Sequence, residues 1–288
     1  MKVKKVVPFL KWPGGKRWLM ANYGSYFPSE FNTYFEPFLG GGAAFFFLQP
    51  DKAVLSDING ELIGLYSIMR DKPAELAELL TSHQAKHSNE YYYAIRDTEF
   101  CDPLQSAARL LYLNRMCFNG MYRVNKSGKF NVPIGTKSNC VYDIDLFKDY
   151  SAVLKNAELL QSDFATTICR AKENDLIFAD PPYTISDKQS SFIKYNDHLF
   201  TWQDQKRLFH ALYDAKLRGS YILSTNACFE DLKQLYVSSG FYVKVVHHHS
   251  LISGKAEKRR VQDELLISSH PLRENKEVFN KDEDSTDK

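Results

Sequence analysis

Leu176-Ile177-Phe178-Ala179-Asp180-Pro181-Pro182-Tyr183 is the stretch on which the fold turns. Its four apolar residues predict a short buried strand. Neither proline has an N–H to donate, so the ladder stops at Asp180 and the chain leaves the sheet stiffly. A carboxylate, a carbonyl and an aromatic ring are thereby held together at a strand's C-terminal end. Ligands bind there in open α/β sheets. The set suits the exocyclic amino group of a flat heterocycle.

Outward from this strand, strands and helices alternate. Thr33-Tyr34-Phe35, Ala53 to Ser56, Glu158 to Gln161, Tyr221 to Ser224, Phe241 to Val246 and Glu264 to Ser268 read as further strands. Helical spacing covers the stretch to Arg70, Pro73 to Lys86, Pro103 to Cys117, Trp202 to Leu217 and Cys228 to Ser238. In Pro103 to Cys117, Leu104, Ala107, Ala108, Leu111 and Tyr112 share one face. Such alternation predicts an α/β fold, a mostly parallel sheet covered by helices on both faces. Asn119-Gly120 and Ser127-Gly128 are turn signals beside Met121 to Asn125 and Phe130 to Val132, which predicts a β-hairpin. Residues 1–65 and 156–270 therefore read as one domain, with 66–155 a helical and hairpin insertion. The polar tail 271–288 is expected to be mobile.

The chain has 288 residues, 44% hydrophobic and 25% charged, an ordinary globular balance. No apolar run reaches the length of a membrane span, and the start lacks a signal-peptide core, so a cytoplasmic protein is expected. Five scattered cysteines with no CxxC pair argue against zinc and against a disulfide framework. His247-His248-His249 falls on a strand, where neighbours face opposite ways, so no metal is expected there. Tyr91-Tyr92-Tyr93 reads as packing. The net charge is only +2 but unevenly spread. Residues 1–29 hold Lys2, Lys4, Lys5, Lys11, Lys16 and Arg17 and no acid; residues 103–142 hold Arg109, Arg115, Arg123, Lys126, Lys129 and Lys137 with no acid after Pro103 until Asp143. Lys255, Lys258, Arg259 and Arg260 form a third block. Acid-poor blocks of this kind suit a polyanion, so nucleic acid is the expected partner.

Several motifs add chemistry. Glu36-Pro37-Phe38-Leu39-Gly40-Gly41-Gly42 lets backbone approach a ligand ahead of a helix, but the spacing is not GxGxxG, which argues against a dinucleotide fingerprint. Val54-Leu55-Ser56-Asp57 ends a strand with an acid, fit equally to grip two ribose hydroxyls or to cap a helix. Phe9-Leu10-Lys11-Trp12-Pro13-Gly14-Gly15-Lys16 sets an aromatic ring among lysines and free backbone. In Tyr112 to Asn125, arginine and amide side chains suit major-groove edges and Phe118 suits a wedge between bases.

These blocks, in this order, resemble the Dam-type DNA adenine-N6 methyltransferases of the D12 class, from about Phe9 to Ser268. The resemblance implies a Rossmann-like methyltransferase sheet with a DNA-recognition insertion, S-adenosyl-L-methionine as methyl donor and double-stranded DNA as partner, read at GATC. It implies a catalytic set of Asp180, Pro181, Pro182 and Tyr183. Trp12, Gly14, Gly15, Lys16, Glu36, Phe38, Gly40, Gly42, Asp57, Asp163 and Asp180 fall on cofactor positions. Lys11, Arg115, Phe118, Asn119, Arg123, Asn125 and Pro133 fall on DNA-contacting ones. Pro13 stands where relatives often carry another small residue, and Phe118 where many carry tyrosine. A silent DNA-binding regulator, or an amino-methyltransferase with another target, would share the fold; the intact Asp180 motif argues against the first and the basic segment for duplex DNA. Whether a cognate restriction endonuclease exists is not legible in the residues.

Overall fold

The structure, a computed structural model, describes residues 6–125, 127–140, 144–183, 200–249 and 261–272. Among these are the strands β1 (Tyr34–Glu36), β2 (Ala53–Asp57), β3 (Ala157–Gln161), β4 (Leu176–Ala179), β5 (Tyr221–Ala227), β6 (Tyr242–His249) and β7 (Val261–Ser268). The helices are α1 (Arg17–Tyr23), α2 (Ala43–Leu48), α3 (Gly60–Asp71), α4 (Pro73–Ala85), α5 (Asn89–Asp97), α6 (Pro103–Met116), α7 (Ile144–Leu154), α8 (Phe164–Ile168), α9 (Trp202–Leu217) and α10 (Glu230–Val237). The seven strands follow the order β3-β2-β1-β4-β5-β7-β6. The expected α/β class is what is found, a Rossmann-like sheet whose β7 runs antiparallel to both β5 and β6.

Of the described residues, 6–15 and 39–163 form one compact unit, and 16–38, 164–183 and 200–272 another. In the second unit, β1 pairs in parallel with β4, Tyr34 opposite Leu176 and Phe35 opposite Ile177. The chain makes β2 and β3 before returning to β4 at β1's side, so β1 and β4 flank the switch point of the topology, the place where such sheets bind ligands. All four residues of β4 are buried. Parallel strands covered on both faces read as such unbroken apolar runs. Helix α9 starts where its sequence says: Thr201 Oγ1 accepts the Asp204 N–H and Asp204 Oδ2 accepts the Thr201 N–H, a reciprocal cap.

In the first unit, β2 and β3 run parallel from Ala53 opposite Ala157 to Asp57 opposite Gln161. Helix α6 departs from the one-faced reading, because every residue from Ala107 to Asn114 is buried. It packs against α3, α4 and α5 and is the centre of the unit rather than its skin. Tyr92 is packing, as expected: it is fully buried and its hydroxyl donates to the Val132 carbonyl at 2.9 Å. The predicted hairpin is present in shortened form: Val124 bridges Phe130 antiparallel, with backbone bonds from Asn125 to Lys129 and from Asn131 to Arg123. A second isolated bridge joins Cys117 to Ile134, but no continuous strands form there among the described residues. Side chains there take over the backbone: Asn125 Oδ1 accepts from the N–H groups of Ser127 and Lys129, each at 3.0 Å. Local bonds of this kind compete with a ladder. The expected mobile tail lies outside the described residues except for Pro271 and Leu272.

Candidate active site

Asp180 follows β4 directly, and Pro181 is buried while Pro182 is exposed. The carboxylate is held through one oxygen. Asp180 Oδ1 accepts from Thr225 Oγ1 of β5 at 2.6 Å and lies 2.9 Å from Lys16 Nζ. Lys16 is 3% exposed. Its ammonium also lies 3.5 Å from Glu264 Oε2 of β7, donates to the Tyr183 hydroxyl at 3.1 Å, and sits 5.0 Å from the Tyr183 ring centroid. Burial works against charge on Lys16, yet the carboxylates of Asp180 and Glu264 outweigh it and its pKa lies above the ordinary lysine value. Burial lifts the Asp180 carboxyl above the usual range, against the pull of Lys16 and the Thr225 hydrogen bond. Burial, with the nearby charge of Asp180, keeps the Tyr183 phenol protonated.

At the end of β1, Glu36 is 2% exposed and accepts from the Tyr34 hydroxyl at 2.9 Å. Phe38 stacks on Phe164 with centroids 5.3 Å apart and meets the edge of Phe200 at 5.8 Å. These rings form an apolar cluster, and Arg207 lies 4.8 Å from the Phe164 ring.

The first unit carries the glycine loop. Asp57 ends β2 and is tied to that loop: Oδ2 accepts the Gly40 N–H and Oδ1 the Asn59 N–H, each at 3.0 Å. Of the two readings open for Asp57, the cap of α3 falls instead to Asn59, whose Oδ1 accepts the Leu62 N–H. Burial raises the Asp57 carboxyl while these backbone bonds lower it. Gly40 and Gly42 have φ of +47° and +65°. A Cβ on Gly40 would meet Trp12 Cδ1 at 3.0 Å, and one on Gly42 the Tyr66 hydroxyl at 2.9 Å. That hydroxyl donates to the Gly40 carbonyl at 3.2 Å. Trp12 stacks on Tyr122, centroids 4.3 Å apart. The Tyr122 hydroxyl in turn accepts from Asn59 Nδ2 at 3.1 Å and donates to Glu61 Oε2 at 3.4 Å. Gly14 and Gly15 are exposed just beyond Trp12, and the Gly15 N–H donates to the Trp12 carbonyl. Asp163 follows β3, two residues past its end.

The basic segment belongs to the same unit. Asn119 has φ of +56° and is exposed, as are Lys11, Asn125 and Pro133. Phe118 is 49% exposed, and its N–H donates to the Pro133 carbonyl at 2.9 Å. Arg123 is held by Asn131, Nε to Oδ1 at 2.7 Å and an Nη to the backbone carbonyl at 3.2 Å. Arg115 is half-buried at the end of α6. Lys11 is fixed by Asn114, whose side chain bonds both its N–H and its carbonyl, at 3.1 and 2.7 Å. Asn125 Oδ1 is spent on its own turn. Arg109 leaves the basic block altogether: it is buried, paired with Glu61 at 3.1 Å, and its remaining donors meet the carbonyls of Ile95 and Arg96.

Four contributors were missed from the residues alone: Thr225, Glu264, Tyr66 and Tyr122. The first two had a signal. Ser224-Thr225-Asn226 is a polar run inside a strand, and Glu264 precedes Leu265-Leu266-Ile267, so each puts polar groups where burial demands partners. The tyrosines had none beyond ordinary core aromatics.

One unit thus ends β4 with a carboxylate and two prolines, and the other ties a glycine loop to the acid that ends β2, features of an α/β enzyme. A profile of the D12 class N6 adenine-specific DNA methyltransferases matches residues 12–251. The chain is 35% identical over 272 residues to the Type II methyltransferase M1.LlaDCHI of Lactococcus lactis subsp. cremoris, covering 91% of this chain and 95% of that one. It is 34% identical to the Type II methyltransferase M.MjaIII of Methanocaldococcus jannaschii, over 92% of this chain and all of the relative. It is 31% identical to a DNA adenine methylase of Vibrio cholerae, over 93% and 98% of the two chains. The chain belongs to the D12 class N6 adenine-specific DNA methyltransferases: an enzyme that methylates adenine in DNA. Among the described residues, no helix is long and apolar enough to cross a membrane.

Proposed function

We propose that the protein transfers the methyl group of S-adenosyl-L-methionine to N6 of an adenine flipped out of a GATC duplex. The observation that carries the reading is the Asp180 carboxylate at the switch point, held among the described residues through Oδ1 and followed directly by Pro181. The adenine amino nitrogen is a poor nucleophile because its lone pair is delocalised into the ring. Two acceptors placed on its hydrogens, Asp180 and the Pro181 carbonyl, favour a pyramidal nitrogen with its lone pair exposed. Tyr183 stacks on the flipped base, an extrusion that costs a few kcal/mol. No strong base is needed, because the methylated ammonium is acidic and gives its proton to water. Alignment and fixed charge supply the catalysis.

The donor set suits the cofactor. Asp57 presents a carboxylate to ribose hydroxyls, Trp12 a flat ring, and Gly40 and Gly42 a loop of positive φ that a Cβ would drive into Trp12 and Tyr66. Gly14, Gly15, Lys16, Glu36, Phe38 and Asp163 complete the candidate set. When bound, the cofactor supplies a sulfonium methyl, an electrophile of positive charge. Residues 66–155 serve as the target-recognition region, with Arg123 read against guanine and Phe118 filling the space the base leaves. Lys11, Arg115, Asn119, Asn125 and Pro133 line the same DNA surface. The GATC reading rests on the likeness of the Arg123 to Gly135 stretch to GATC-reading relatives.

Tritiated cofactor and a set of duplexes varying one base of GATC test the target. Label confined to GATC adenine is expected; equal label on every variant sinks the specificity. Asp180→Ala tests the acceptor. Duplex binding within about threefold of wild type and loss of methyl transfer by about a hundredfold or more are expected. Wild-type turnover in that variant would rule the role out.

A further inference from the structure

Around Asp180 the second unit collects more charge than the acceptor role requires. Four groups face that carboxylate among the described residues: Lys16 ahead of α1, Tyr183 from its own motif, Thr225 from β5 and Glu264 from β7. Glu264 lies opposite Ala227 of β5 and is 3% exposed. Two carboxylates thus share one buried ammonium, leaving a net negative charge at the site. A lysine paired with Asp180 alone would draw off the charge with which that oxygen accepts a hydrogen bond. Sharing it with Glu264, 3.5 Å away, relieves that draw. The last torsion of an aspartate is soft, so one donor leaves the carboxylate free to turn. Thr225 and Lys16 both bind Oδ1, and two donors on one oxygen fix the plane and turn Oδ2 elsewhere.

We propose that Glu264 and Thr225 are positioning residues for methyl transfer: Glu264 shares the Lys16 ammonium so that Asp180 keeps its strength as an acceptor, and Thr225 sets which carboxylate oxygen meets the target amine. This rests on the reading of Asp180 as the acceptor. Glu264 also raises the Asp180 carboxyl by its charge. Removing that charge therefore lowers the Asp180 pKa and moves the acid limb of the rate to lower pH.

The experiment measures single-turnover methyl transfer on a GATC duplex from acid to neutral pH, with cofactor and duplex dissociation constants, for the wild type, Asp180→Ala, Glu264→Gln, Glu264→Asp, Thr225→Val and Thr225→Ser. Glu264→Gln and Thr225→Val are expected to slow transfer by about tenfold, the loss that outer hydrogen-bond partners of a reacting group commonly carry, with both dissociation constants within about threefold of wild type. Glu264→Gln is expected to shift the acid limb downward, and Glu264→Asp and Thr225→Ser to recover much of the rate. Wild-type rates in both Glu264→Gln and Thr225→Val overturn the proposal, as does a slowed Glu264→Gln whose acid limb has not moved. Should Glu264→Gln fail to fold by circular dichroism, the threonine pair decides: loss in valine with recovery in serine supports it, and equal rates overturn it. A wild-type rate in Asp180→Ala instead removes the acceptor reading itself, separately from this inference.

Discussion

Asp57 has a scaffold role on which its proposed role as a cofactor ligand depends. Its two oxygens take the N–H groups of Gly40 and Asn59, so the glycine loop is anchored to the end of β2. Each oxygen of an ionised carboxylate accepts more than one bond, which leaves capacity for ribose hydroxyls. Asp57→Ala is expected to weaken cofactor binding by about tenfold or more, since hydrogen bonds to charged groups are worth roughly 1.5–3 kcal/mol. Isothermal titration of the cofactor checks this, and an unchanged dissociation constant would remove Asp57 from the site. The acid at that strand end was legible in the residues. Its bond to Gly40 was not, because a contact across 17 residues depends on how the loop closes, not on any local pattern.

At the scale of elements, the segment after α6 is pinned by close backbone approach. Gly135 donates to the Met116 carbonyl at 2.7 Å, and a Cβ there would meet the Cys117 carbonyl oxygen at 2.6 Å. Gly135→Ala cannot be relieved by a side-chain move. It is expected to cost about 1–3 kcal/mol in urea unfolding and to weaken duplex binding, with cofactor binding retained; full duplex affinity would count against this segment as the DNA surface. The α4, α5 and α6 packing carries a pH dependence. His83 stacks on Tyr112 at 5.0 Å, bonds the Tyr91 hydroxyl at 2.8 Å, and burial, helped by Lys86, holds its pKa down at about 4. A depressed histidine pKa means that the unfolded chain takes up the proton first. The stability it gives is whole above the unfolded value near 6.5 and drains away as pH falls toward 4. Unfolding free energy is expected to drop by about 2 kcal/mol between pH 7 and pH 5 on this account, and His83→Gln to flatten that slope. Helix starts at Pro73 and Pro103 were readable from the proline itself. The hairpin's bend and pairing were readable from its turn signals, but not its shortness, because Asn125 turns its side chain onto the backbone beside the bridge.

For the whole molecule, the net charge of +2 understates its attraction for DNA, because acids and bases are sorted along the chain. The structure sharpens that count. Arg109 serves the interior, and Lys129 pairs with Glu99 at 3.2 Å, whereas Lys11 is exposed. Duplex affinity should fall steeply with salt, by about one unit of log–log slope for each phosphate neutralised. Lys11→Ala is expected to reduce that slope by about one, while Arg109→Ala lowers stability and leaves the slope alone; the reverse pattern would reassign both residues. The α/β class and the Asp180 motif could be read in advance because strand runs and prolines act locally. The charge network behind Asp180 could not, since Lys16, Thr225 and Glu264 come from three distant stretches. Tyr122 is a further case. Its ring lies against Trp12 and its hydroxyl against Asn59, while its backbone precedes Arg123, the residue proposed to read guanine. On the proposed roles, grafting residues 116–135 from a relative to change which bases are read also replaces the ring on which Trp12 rests, so selectivity and donor affinity are expected to change together.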